Sequence, residues 1–124
     1  MERSERIINA IKKAVSNLEC TMDILISGKG GVERTIWQAA SETEYAVFLL
    51  SLLQKSENPS WKTESKKIGE VEVGSALIVA QDLLKEAEKE FKNNFEEAYR
   101  KAWTARQYIL AAQHAIMRKS KKAS

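Results

Sequence analysis

The chain is poor in residues that interrupt or cross-link a fold. Its 124 residues include one proline, one cysteine, one histidine and five glycines. A lone cysteine, Cys20, excludes an intrachain disulfide and reads as a structural thiol. One cysteine and one histidine, His114, also leave no Cys/His set for zinc, so neither a metal site nor a cofactor is expected. Long hydrophobic runs are missing as well. The most apolar window, Tyr45 to Leu53, is about half the roughly 20 residues that a bilayer span needs. No basic-then-apolar opening leads to a small-residue cleavage site, so the sequence reads as a cytoplasmic protein without a membrane partner.

Acidic residues are lacking from Tyr99 to Ser124, whereas Arg100, Lys101, Arg106, Arg118, Lys119, Lys121 and Lys122 all fall there. The net charge of +3 therefore hides a basic C-terminal pole. Cations suit a helix C-terminus electrostatically, and they can also meet phosphate or an acidic protein.

What the chain does have is helical periodicity. A content of 44% hydrophobic and 30% charged residues is that of a globular domain, and the length suits one core. Steps of three and four place Ile8, Ile11, Val15, Leu18, Met22 and Leu25 on one stripe, predicting a helix over about 5–27 that is N-capped by Ser4. Three glycines in Gly28-Lys29-Gly30-Gly31 end it. A second helix is predicted over about 32–55, with Val32, Ile36, Ala39, Ala46, Leu50 and Leu53 on its main face. Its Tyr45–Leu50 segment is apolar almost all round, which predicts either full enclosure or a second face for a partner. Tyr45, Phe48, Leu49 and Leu52 are the expected interface residues.

Residues 56–69 hold Pro59 and Trp61 and read as the one long connection, with Asn58-Pro59-Ser60 a turn and Trp61 a lid over the bundle end or a contact. Val71 and Val73 alternate with glutamates, which suits a short extended piece. Two further helices, about 73–93 and 95–118, form a hairpin at Asn93-Asn94, followed by a basic tail at 119–124. Val73, Leu77, Ala80, Leu84, Ala87 and Phe91 face Ala98, Ala102, Ala105, Ile109, Ala112 and Ile116. The alanines let two backbones lie close together. Glu88 to Lys92, Glu96 to Arg100 and Glu97 to Lys101 are four-apart pairs that mark solvent faces. The expected fold is all-α, a single-domain four-helix up-and-down bundle.

Candidate chemistry is thin. The stretch from Asp23 to Thr35 resembles the deviant phosphate-binding loop of ParA/MinD-type ATPases at Lys29, Gly30, Gly31, Val32 and Thr35. However, Glu33 stands where that family has glycine, and Arg34 where it has the phosphate-contacting lysine. A glutamate there would set negative charge against phosphate, so the stretch reads as a helix–helix turn. Glu42 and Glu44, two apart on a helix, point away from each other, and one is expected to pair with a cation.

Phe95, Tyr99, Trp103 and Tyr108 interleave with Arg100, Lys101 and Arg106. Aromatics among cations can stack bases and grip phosphates, and the same four-residue step also suits core packing. The hairpin over 74–118, with recurring alanines and a basic-aromatic helix carrying Arg106 and His114, resembles small helical bundles of the HEPN family. That resemblance implies a helical bundle and, for some members, RNA cleavage by an arginine and a histidine on one helix. From the residues themselves the expected function is an interaction or assembly module without catalytic residues, self-associating as a homodimer. The alternative is a nucleic-acid-binding subunit using the basic pole, and the third reading is a HEPN-like ribonuclease.

Overall fold

A computed structural model describes residues 3–53, 68–69 and 71–123, with side chains described as far as Lys119. Pro59, Trp61, Lys121 and Lys122 lie outside the described residues or side chains. Among the described residues there are four helices: α1 (Arg3–Ser27), α2 (Val32–Leu53), α3 (Val73–Glu90) and α4 (Phe95–Ala123). Ser4 lies inside α1 and is not its cap.

Each turn follows from local chemistry. α1 ends because Gly28 takes a φ of 73°, where a side chain would be strained, while its N–H still donates to the Ile24 carbonyl at 2.9 Å. Gly31, at φ 96°, then supplies the carbonyl that accepts the first bond of α2 from the Thr35 N–H. The chain enters α3 through Glu72, whose carboxylate accepts from the N–H groups of Gly74 at 3.0 Å and Ser75 at 2.7 Å. Glu72 is thus a cap in extended backbone, φ −79° and ψ 127°, and the helix begins at Val73, where the sequence predicts it. Asn94 caps α4 by accepting from the Glu97 N–H at 3.2 Å.

Each helix packs on two others: α1 on α2 and α3, and α4 on α2 and α3. Lys12 faces Glu88, and Glu19 faces Gln81, so α1 and α3 run antiparallel. Glu44 faces Arg106, while Trp37 lines a groove with Gln113 and Met117, so α2 and α4 do too. Every neighbouring pair in space is therefore up against down, and the all-α four-helix bundle of the sequence is the fold observed. Connectivity adds one feature. The start of α3 shares an end cavity with the C-terminus of α1 and the start of α2, so it lies at the end opposite to that where α2 finishes. α2 is about 33 Å long at 1.5 Å per residue, so the start of α3 is set back from the end of α2 by about that length along the bundle axis. Four-helix bundles accommodate a return of this length between consecutive helices.

The core is small-residue rich. On α4 the predicted Ala98, Ala102, Ala105, Ile109, Ala112 and Ile116 are all buried, and on α3 Val73, Leu77, Ala80, Leu84 and Ala87 are buried with Phe91 at the edge. The α1 face is turned slightly from its predicted stripe. Ile7, Ala10, Ile11, Ala14, Leu18 and Thr21 are buried, Ile8, Val15 and Met22 sit at the margin, and Leu25 is exposed. Two hydroxyls lie inside. Thr21 Oγ1 donates to the Asn17 carbonyl at 2.7 Å and Thr43 Oγ1 to the Ala39 carbonyl at 2.8 Å, so neither is left unsatisfied.

Candidate interaction surface

The apolar segment of α2 resolves into two faces. Ala46, Val47, Leu49 and Leu50 turn inward and are buried. Leu49 therefore belongs to the core and not to the expected interface, because it lies on the flank that meets a neighbouring helix. Tyr45, Phe48 and Leu52 point outward at 43%, 56% and 50% exposure, and Trp37, two turns before Tyr45, is 61% exposed. At 100° per residue these four, with Ser41 among them, fall within one quadrant of the helix, on the side away from Ile36, Thr43 and Leu50. The sequence stripe missed Trp37, although its four-residue steps to Ser41 and Tyr45 were there to be counted.

Other exposed apolar groups are more scattered. Leu25, Ile26 and Met117 cluster near the bundle end where α1 finishes. There Leu25 and Ile26 join Val32, Val73 and Ile116 around an open depression of about 570 Å³, edged by Glu33, Glu72 and Lys119. A second depression, of about 440 Å³, runs between α1 and α2 along Lys12, Lys13, Asn17, Trp37 and Glu42.

The basic pole is less available than its composition suggests. Lys101 Nζ lies 3.0 Å from Glu90 and 3.3 Å from Glu86 of α3, and its pKa is raised, chiefly by the hydrogen bond to Glu90. Arg106 donates to Glu44 on the opposite flank of α4. Glu88 likewise faces Lys12 of α1, at 3.6 Å. Arg100, Arg118 and Lys119 are exposed. The aromatic ladder is packed: Tyr99 is 1% exposed, Phe95 stands edge-on to Phe91 at 6.1 Å and tilted to Tyr99 at 6.4 Å, and Trp103 is half-buried against the core. Tyr99 thus presents no face to a base.

Arg106 and His114 are about 12 Å apart along the helix axis. His114 is exposed, and Arg106 is held by Glu44 and by Gln107 Oε1 at 3.0 Å. The glycine-rich stretch is the α1–α2 turn, preceded by helix, with Glu33 exposed in the first turn of α2. Among the described residues no group of three or more His, Cys, Asp or Glu side chains could hold a metal ion, and no helix is long and apolar enough to cross a membrane. No family model matches the chain, and no curated protein or solved structure does.

Proposed function

We propose that this protein is an assembly module whose docking surface is the outward face of α2, with a second copy of the chain as its first partner. The observation that carries the reading is the set of four large apolar side chains, Trp37, Tyr45, Phe48 and Leu52, on the side of α2 away from the core. Taking about half of the 150–250 Å² that each large side chain can bury, the stripe offers on the order of 400 Å² per protomer. That is about half of the roughly 800 Å² per partner in a standard interface, and the flanks of α1 and α4 would supply the rest.

The test is mass in solution. Sedimentation equilibrium at micromolar protein should give about twice the 14.0 kDa of one chain, and Phe48→Glu should return it to one chain with unchanged helicity. A monomeric parent protein overturns the self-association reading.

A second reading, a nucleic-acid accessory subunit, draws on Arg100, Arg118 and Lys119 together with Lys121 and Lys122. The ion pairs of Lys101 and Arg106 count against it, since two of the cations nearest the aromatics already have carboxylate partners. Salt-sensitive RNA or DNA binding that is lost when Arg118, Lys119, Lys121 and Lys122 become alanine would favour it instead. RNA cleavage abolished by His114→Ala would favour the ribonuclease reading.

A further inference from the structure

We draw no further inference here: the strongest candidate, the outward apolar stripe of α2 formed by Trp37, Tyr45, Phe48 and Leu52, carries nothing beyond the reading above, because nothing in the structure shows what covers it.

Discussion

Arg106 of α4 donates from Nε to the Glu44 carboxylate of α2, joining the two helices that carry the cations and the exposed apolar stripe. The pair is half-exposed, its side chains keeping 30% and 47% of their accessible surface. Water screens such a contact, so its value lies in orientation more than in stability. Arg106→Ala should cost less than about 1 kcal/mol by urea denaturation, and a double-mutant cycle with Glu44→Ala should return a coupling within that bound. A coupling of several kcal/mol would show instead that the pair is buried in solution.

The α1–α2 turn separates two glycines that resemble each other in sequence. Gly31 has a φ of 96°, whereas Gly30 lies outside the positive region and a Cβ added there would meet nothing within 4 Å. Gly31→Ala should therefore destabilise by about 1–2 kcal/mol through backbone strain. Gly30→Ala should be neutral or stabilise by up to about 1 kcal/mol by narrowing the unfolded ensemble. Thermal unfolding of the two variants side by side decides the matter, and equal losses would contradict the turn geometry.

Much of the fold was legible in the chain because helical spacing reports the burial of large apolar groups. Every position read as inward on α4 is inward, since alanines repeating at three and four have no other role on a polar helix. The same method misled where a small or polar residue sits at the centre of a face. On α1, Ile8, Val15 and Met22 outweigh Ala10 and Thr21 in a hydropathy pattern, yet Ala10 and Thr21 are buried beside Ile7, Ile11, Ala14 and Leu18 while the three larger residues sit at the margin. Thr21 and Thr43 hide their hydroxyls in backbone bonds four residues back, which no pattern of apolar residues reveals. The exposed apolar stripe of α2 was half legible. Leu49 and Phe48 look equivalent in an unbroken apolar run, and only the position of the neighbouring helices separates them. The pairing of Lys101 with Glu86 and Glu90 was hidden for a different reason: it joins two helices, whereas sequence spacing shows only pairs within one.

Glu72 makes the bundle sensitive to acid at one end of α3. Hydrogen bonds from the Ser75 hydroxyl and from the Ser75 and Gly74 N–H groups hold its carboxyl below the ordinary value of 4.5. A lowered native pKa means that the unfolded chain takes up the proton first. The cap's contribution is therefore complete above pH 4.5 and fades as pH falls through the lower native value. Glu72→Gln retains the shape but loses the charge. Urea midpoints of the parent and this variant should differ at neutral pH and converge in acid; a constant gap would remove Glu72 as the titrating group.

The contact between α3 and α4 is extensive, and its alanines dictate how it should fail. Ala102 and Ala105 are fully buried, as is Leu84 of α3. Leu84→Ala would open a cavity costing about 2–5 kcal/mol. Ala105→Leu adds three carbons where backbones approach closely, and the helices must separate or the side chain must leave its preferred rotamer, at about 1–3 kcal/mol or more. Because the two changes act by opposite means, combining them separates packing from hydrophobicity. If the new leucine reaches the space vacated at position 84, the double variant should be more stable than the sum of the single losses predicts. Strict additivity in urea unfolding would show that Leu84 and Ala105 occupy separate layers, with the Ala105 seam set by backbone approach alone.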